Sequence, residues 1–573
     1  MGSRWIFPPA DDGRALAGAL GIGALAARVL ARRGLVDAAE ARRFLRPSLA
    51  DLHDPWTMRD MGRAVERLVK AIRGDEKILI YGDYDVDGTA SVVILAKAIE
   101  MAGGSAVWHV PHRLHDGYGM RSEVVEDAAE QGVRLIVSVD TGIRAAEEVR
   151  RAGELGIDTI ITDHHLPEEG LPPALAVLNP NRADCPYPEK NLCGAGVAFK
   201  VVQALVAALE WPAERARRVE ESFLKLAAIA TVADVVPLTG ENRAIVKHGL
   251  AGLRDVRNPG LRALLEVAGF KGAAVPSARD VAFRIAPRLN AAGRMDTARA
   301  AVELFMTRDA GRAAELARQV HEQNAERQQV EAEIREVCER MAVEESAAAL
   351  VYYAEEWHRG VLGIVAGRLA ERLYRPVFVL SRNPEDGMAQ GSGRSIPAFH
   401  LLEALDAMRD LFVRYGGHSH AAGVTLEPER VEEFRERFNA YAAARLRPED
   451  LQPRVEIDAA LELREITERS VAEVFALAPF GHGNPPPVFA ALDAEVAGPP
   501  AALGEKHLKL MLRQNGRVLA LKAWNFAERA EQVARGARVD AAFTLEEDGF
   551  AAGGWSATLR DVRPAEQARE VEA

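Results

Sequence analysis

Three aspartates stand at alternate positions in one short stretch, Gly82-Asp83-Tyr84-Asp85-Val86-Asp87-Gly88. Carboxylates this close repel one another unless a cation sits among them. A helix–loop–helix calcium loop would use Asp83, Asp85 and Asp87 with glycine at Gly88, but its twelfth position should be glutamate and is Ile94. The run before it, Lys77–Tyr81 (KILIY), also reads as a strand and not a helix. Two further signals share this architecture: Asp140 ends the run Leu135–Val139, and Asp163-His164-His165 follows Thr159–Ile161. Asp234, in TVADVVP, closes a very apolar helix and is costly there without a partner. Any one of these could merely cap a helix; together they read as a metal site. Oxygen ligands with an imidazole suit Mn²⁺ or Mg²⁺ better than zinc, and the nitrogen favours Mn²⁺. Six candidate ligands exceed what one ion needs, and two ions about 3.5–4 Å apart hydrolyse phosphate esters. No GxxxxGK[ST] occurs, and Gly194-Ala195-Gly196 lacks the third glycine of a dinucleotide fingerprint.

The elements that must position these residues form a βαβ series, hence a mostly parallel sheet covered by helices. Strands are expected at Lys77–Tyr81, Ala106–Val110, Leu135–Val139 and Thr159–Ile161, with helices at Thr89–Met101, Ser122–Gln131, Arg144–Leu155, Gly194–Leu209 and Phe223–Val232. In open α/β sheets ligands collect beyond the carboxyl ends of the strands, so three strand ends deliver acids and imidazoles to one edge. From Arg312 to Arg359 no glycine or proline interrupts the chain, and Arg312–Glu345 is expected as one helix on the order of 50 Å long that joins two lobes. The alternation restarts at Val351–Gln452, with strand Val377–Leu380 and helices Leu401–Met408 and Val431–Arg445; Arg447–Arg454 reads as a linker. Beyond it, His507–Arg513 alternates, Asn515-Gly516 is a favoured hairpin turn, and Val518–Trp524 returns, which predicts a small antiparallel barrel. The domain reading is therefore an N-terminal helical segment at 1–57, a catalytic lobe at 58–252, a helical connector at 253–345, a second α/β lobe at 346–446, a β domain at 455–563 and a polar tail at 564–573.

The 573 residues, 48% hydrophobic with 27% charged and 6% aromatic, exclude wholesale disorder. Lys+Arg 72 against Asp+Glu 84 gives −12, which excludes a simple basic nucleic-acid coat protein but not a local basic groove. Cys185, Cys193 and Cys338 make no disulfide framework and no zinc pattern, and fit a reducing cytoplasm. The longest apolar stretch, Leu16–Ala27, is shorter than the ~20 residues a bilayer demands. Asp11 and Asp12 precede it where a signal peptide would be positive, so it reads as a helix of a cytoplasmic protein.

At Asp163-His164-His165 the chain resembles the DHH phosphoesterase superfamily, and within it the RecJ family of bacterial single-strand-specific 5′ exonucleases. YGDYDVDG, PHRLHDGYG, SVDTG, TDHH, CGAGVAFK, TVADVVPL with ENR, APRLNAAGRM and GGHSHAAG carry the likeness in order from Tyr81 to Gly423, with a similar β region after. Ala230 replaces an expected glycine, a small-for-small change. The resemblance implies a DHH lobe joined by the long helix to a DHH-associated α/β lobe, then an OB-fold β-barrel, with no further C-terminal domain. It implies that Asp87, Asp140, His164 and Asp234 hold one Mn²⁺ (or Mg²⁺), that Asp83 and Asp85 hold a second, and that Asp140 bridges. His165 would face the substrate, and Asp163 would orient the histidines. Ser392, Gly393 and Arg394 with Gly416, Gly417 and His418, joined by Arg113, Arg288 and Arg294, look like the grip on a 5′-terminal phosphate; Arg288 could equally serve structure. On the OB-fold, His507, Lys509, Lys522 and Trp524 with Phe526 would attract and stack a single strand, unless Trp524 and Phe526 are barrel core. The implied activity is processive 5′-to-3′ hydrolysis of single-stranded DNA to nucleoside 5′-monophosphates in DNA repair and recombination. A monomer served by a helicase and a single-strand-binding protein, with no membrane, completes the expectation.

Overall fold

The computed structural model describes residues 3–7, 13–113, 115–117, 119–168, 170–272, 274–343, 347–551 and 553–565. Asp11 and Asp12, two positions of the 111–119 motif, the expected helix end at 344–345 and most of the tail lie outside the described residues. Two compact units form: Pro47–Ala444 with Gly481–Gly483, and the chain up to Arg46 with Arg445–Phe480 and the residues from Asn484 onward.

The larger unit begins with a five-stranded parallel sheet. Its strands are β1 (Lys77–Tyr81), β2 (Ser105–His109), β3 (Val133–Val139), β4 (Asp158–Thr162) and β5 (Ala176–Leu178), in the order β2-β1-β3-β4-β5. Helices cover both faces, which is why the strands read as near-continuous apolar runs. Helix α1 (Val86–Met101) is buried almost all round, from Val86 to Ile99. It starts three residues before the sequence expectation because Asp85 caps it, accepting from the Asp87 and Gly88 N–H groups. Gly88 is obligatory, since a Cβ there would lie 2.6 Å from the Asp83 backbone. Helices α2 (Gly194–Ala208) and α3 (Ala213–Ala233) complete that layer. Helix α3 extends ten residues further towards the N-terminus than expected, through a charged and exposed first half that masks it in the sequence.

Helices α4 (Pro259–Val267) and α5 (Ala286–Met295) lead to α6 (Ala310–Val343), a single helix of 34 residues, on the order of 51 Å. Leu316, Ala317 and Val320 belong to the core of the first lobe, while Ile334 and Cys338 belong to that of the second. The helix therefore joins two lobes by packing one half into each. The second lobe holds β6 (Leu350–Tyr353), α7 (Leu362–Leu373), β7 (Val377–Arg382), β8 (Ala389–Arg394), β9 (Phe412–Gly417) and β10 (Ala421–Leu426), with sheet order β9-β10-β8-β7-β6. Only the β6–β7 pairing is parallel.

The smaller unit is a strand ring. Its members are β11 (Val488–Val496), β12 (Leu508–Gln514), β13 (Arg517–Ala523), β14 (Arg538–Glu547) and β15 (Trp555–Pro564), paired as β11-β14-β15-β13-β12 and closed by β12 on β11. The expected antiparallel pattern holds around this ring except at β13–β15, which is parallel. Two features depart from the sequence reading. The N-terminal helices Arg14–Leu20 and Ala24–Arg32 pack into this unit's core, and Arg4–Ile6 pairs in parallel with Arg454–Glu456. The expected linker Arg447–Arg454 is instead folded, with Arg447 bound to Asp450 across a tight turn, because its prolines and charges fix that turn. Among the described residues no single helix is long and apolar enough to cross a membrane.

Candidate metal and phosphate site

Adjacent strands β1, β3 and β4 end side by side, and each passes directly into acidic residues. Asp83, Asp87, Asp140 and Asp163 are buried. Asp140 holds φ +59°, a left-handed backbone rare outside glycine, with its N–H donating to Thr162 O at 2.9 Å. Asp234, at the end of α3, reaches the same place. Ligand atoms of Asp83, Asp85 and Asp140 lie within 4.8 Å of one another, as do those of Asp87, His164 and Asp234, and those of Asp140, His164 and His165. His164 Nε2 stands 3.1 Å from Asp140 and 3.7 Å from both Asp87 and Asp234.

The electrostatics fit a cation. Burial, then the charge of Asp85, pushes Asp83 up to about 8. Burial, then Asp87 and Asp85, pushes Asp234 up to about 9. Asp140 is driven well upward by burial and by Asp87, and Asp85 rises for the same two reasons despite its backbone hydrogen bonds. Burial pulls the His164 imidazole down, towards the neutral form that ligates metals. Four buried atoms of this group have no hydrogen-bond partner: Asp83 Oδ1, Asp140 Oδ1, Asp234 Oδ2 and His164 Nε2. Divalent cations match them in number and chemistry.

The residues beside the group fix it. Asp163 accepts from the Ile143, His164 and His165 N–H groups and from His165 Nδ1 at 2.7 Å. Burial raises its carboxyl, but these hydrogen bonds prevail and hold it below the usual range. His165 is the converse: burial lowers it, yet the Asp163 bond and charge leave it raised. Two contributions escaped the sequence reading. Asp87 accepts from the Gly194 and Ala195 N–H groups at 2.5 and 2.8 Å, so the CGAG stretch starts a helix whose N-terminus clamps a ligand. Its signal was a glycine where a Cβ would lie 2.6 Å from Asp140. Asn290 on α5 accepts from Val86 N–H at 3.1 Å, and a Cβ at Gly293 would press on Tyr84 O at 2.8 Å, so APRLNAAGRM braces the aspartate loop.

A cationic group adjoins the acidic one. Arg113 lies over the Tyr84 ring at 4.9 Å, between Asp83 and Asp85 in sequence. Arg294 is pushed down to about 9 by burial and then by Arg113 and Arg327, and burial with Arg113 lowers Arg394 also. The buried Arg327, on α6, is a further member that the sequence reading missed. Arg394 and Ser392 on β8 face the first turn of α7, where a Cβ at Gly363 would lie 3.2 Å from the guanidinium and 3.5 Å from Ser392 Oγ. Gly417, Ala422 and Gly393 stand in one row across three strands. Gly417 has φ +147°, and a Cβ there would strike Ala421 O at 2.3 Å; the exposed His418 follows it and donates its N–H to Ala421 O. Arg288 does not join Arg113, Arg294 and Arg394: its Nε donates to His321 Nδ1 at 3.1 Å and it also meets Arg284. Six positions along α5 turn it roughly 240° from Arg294, which accounts for the difference.

On the strand ring, Trp524 is 46% exposed and meets His507 edge-on at 4.9 Å. Lys509 is exposed and sits opposite Lys522 in register. Lys522 is already paired with Asp548 at 2.5 Å. Phe526 is not on this face: it is buried in the core, beneath Arg529, because the chain turns after β13.

The comparisons with known proteins bear on this geometry. Residues 77–231 match the DHH family N-terminal domain, 346–444 the DHHA1 domain and 457–553 the RecJ OB domain. The single-stranded-DNA-specific exonuclease RecJ of Bacillus subtilis is 38% identical over 94% of this chain, which spans 67% of that relative. The protein of the same name from Escherichia coli is 37% identical, covering 85% of this chain and 86% of its own. The crystal structure of RecJ in complex with Mn²⁺ from Thermus thermophilus matches with a TM-score of 0.82 at 33% identity, over 98% of this chain and 79% of that one. Its complex with Mg²⁺ matches with a TM-score of 0.76.

Proposed function

The chain belongs to the RecJ family of single-stranded-DNA-specific exonucleases, and on that footing we propose that it hydrolyses single-stranded DNA from the 5′ end to nucleoside 5′-monophosphates with two divalent ions, Mn²⁺ or Mg²⁺. The observation that carries this reading is the convergence of Asp83, Asp85, Asp87, Asp140, His164 and Asp234, four of them presenting unpartnered buried atoms, beside an arginine group of opposite sign.

In this reading Asp87, Asp140, His164 and Asp234 hold one ion, and Asp83 and Asp85 with Asp140 hold the other. When bound, the ions activate the nucleophile and neutralise charge on the leaving 3′ oxygen. The chain's own residues supply the remainder. Asp163 fixes the His165 ring through Nδ1, and the ring would donate through Nε2 to a non-bridging phosphate oxygen or to the departing oxygen. The bond and charge of Asp163 raise His165 and so favour the protonated ring. Arg113, Arg294 and Arg394, with Ser392, the Gly417 backbone and His418, hold the 5′-terminal phosphate, while Arg288 serves α5 and α6 before any substrate. Lys509 and Trp524, with Lys522 partly neutralised, form the single-strand face of the smaller unit.

We place the enzyme in the cytoplasm, which its three buried free cysteines support, as a monomer in DNA repair and recombination that receives strands from a helicase and a single-strand-binding protein. A 5′-labelled single strand incubated with Mn²⁺ tests the reading. Stepwise release of labelled mononucleotide is expected. Cleavage of dinucleotides alone would make this a small-substrate DHH hydrolase, and no cleavage would make it a scaffold.

A further inference from the structure

The catalytic lobe contains a second charged concavity at the far end of the helices that carry the metal-site aspartates. A cavity of about 510 Å³ opens between the end of α1, the first turns of α3, the start of α4 and the turn before α6. Met101 lies 14 positions beyond Asp87 on α1, roughly 21 Å at 1.5 Å per residue. Arg218 lies 16 positions before Asp234 on α3, roughly 24 Å by the same rise. The cavity is therefore separate from the carboxylate group.

Five cations line it: Lys97, Arg215, Arg218, Arg257 and Arg308. No aspartate or glutamate among the described residues does so. Two of the cations are engaged. Arg215 lies over the Trp211 ring at 3.7 Å and donates to Met101 O, and Arg218 pairs with the exposed Glu214 at 3.1 Å. Lys97, Arg257 and Arg308 have no hydrogen-bond or close ion-pair partner among the described residues. Burial lowers the Lys97 ammonium, Glu100 draws it back up, and Arg308 adds repulsion. Between these charges the wall is apolar, with Met101 at the rim and Val219 and Phe223 buried behind it.

Like charges converging from four segments over an apolar wall repel one another until an anion joins them. The volume lies within the roughly 300–1,000 Å³ of small-molecule sites and exceeds what an isolated phosphate fills. We propose that this cavity binds a nucleoside di- or triphosphate, its phosphates among Lys97, Arg257 and Arg308 and its base against Met101 and Phe223. Guanidinium groups suit phosphate oxygens geometrically. An oligophosphate concentrates its charge where the three unpaired cations meet, whereas an acidic peptide spreads its carboxylates along a chain. The inference stands apart from the exonuclease reading, since it uses none of the residues assigned there.

Calorimetric titration of the full chain with ADP and ATP, in EDTA so that no divalent ion bridges phosphate to the carboxylates, tests the site. Saturable binding is expected for both, and Arg257→Glu with Arg308→Glu should weaken it at least tenfold. Both residues are exposed, so an unchanged melting temperature should verify the fold. Arg394→Ala should leave the affinity unchanged, which separates this cavity from the 5′-phosphate grip. The proposal is overturned if neither nucleotide binds at millimolar concentration, if the double variant binds as tightly, if inorganic phosphate binds equally well, or if an acidic peptide outcompetes both nucleotides.

Discussion

At the strand ends of the first sheet, burial and the crowding of like charges raise Asp83, Asp85, Asp140 and Asp234; beside them burial and the nearness of Arg113 lower Arg294 and Arg394. Each group is a like-charge cluster that an ion of opposite sign would complete, and a metal-assisted phosphodiester cut would supply both. They differ in how they are held. The acids are fixed by main chain: Asp85 caps a helix, Asp87 is clamped by another, and Asp140 sits in a left-handed backbone. The arginines are held at the ends of long side chains, with Arg113 stacked on the Tyr84 ring and Arg294 and Arg394 donating to the Gly360 and Gly393 carbonyls. A backbone-fixed group should fail abruptly when altered, and a side-chain group gradually.

The largest effect should come from Asp140→Ala. It removes the acid common to two of the ligand sets, and hydrolysis should fall by at least about 10³-fold, the upper end for loss of a single transition-state contact. Single-strand affinity, measured by fluorescence anisotropy, should change little, because the arginine group is untouched. Mn²⁺ should raise the melting temperature of the parent protein and not of this variant. Substantial turnover by folded Asp140→Ala would break the contrast. Next in size is Asp163→Asn, which replaces the anion on His165 Nδ1 with an amide. The His165 pKa should drop, and kcat should fall about 10²-fold or more with KM nearly constant; a change in KM alone would make Asp163 a binding residue.

Arg394→Ala tests the gradual side. A charge-assisted hydrogen bond of about 1.5–3 kcal/mol predicts roughly ten- to hundredfold loss of kcat/KM on 5′-phosphorylated ends, chiefly through KM. An equal loss on 5′-hydroxyl ends would remove Arg394 from the phosphate site.

The acidic group was legible because its cause is local: strand KILIY is bounded as expected, and aspartates at alternate positions announce a cation. What closes the site was not, because it depends on approach across distant sequence. Gly194 holds Asp87 from 107 residues away, and nothing in CGAG alone states that. Arg288 and Arg294 look equivalent in APRLNAAGRM, yet helical rotation sends one to His321 and the other to the arginine group. The N-terminal strand Arg4–Ile6 finds Arg454–Glu456 across most of the chain, a pairing that no local pattern encodes. Trp524 and Phe526 are two residues apart, but the turn after β13 leaves one exposed and buries the other.

The smallest effects on strand binding and turnover should lie on the strand ring, where charge is already partly balanced. Trp524→Ala should weaken single-strand binding by about 1 kcal/mol, the low end for a base-stacking residue, as suits a ring only half exposed. Phe526→Ala should instead lower the melting temperature, since deleting a buried ring costs about 3–5 kcal/mol. Lys509 and Lys522 are opposite each other in register, but only Lys522 has an acid, Asp548, against its ammonium. A neutralised lysine releases no counterion from the strand, so Lys522→Ala should leave the slope of log affinity against log salt unchanged. Lys509→Ala should reduce that slope by about 0.7, the single-strand value for one phosphate contact. Equal slopes for the two variants would mean that strand binding separates Lys522 from Asp548, and that this face reorganises around phosphate.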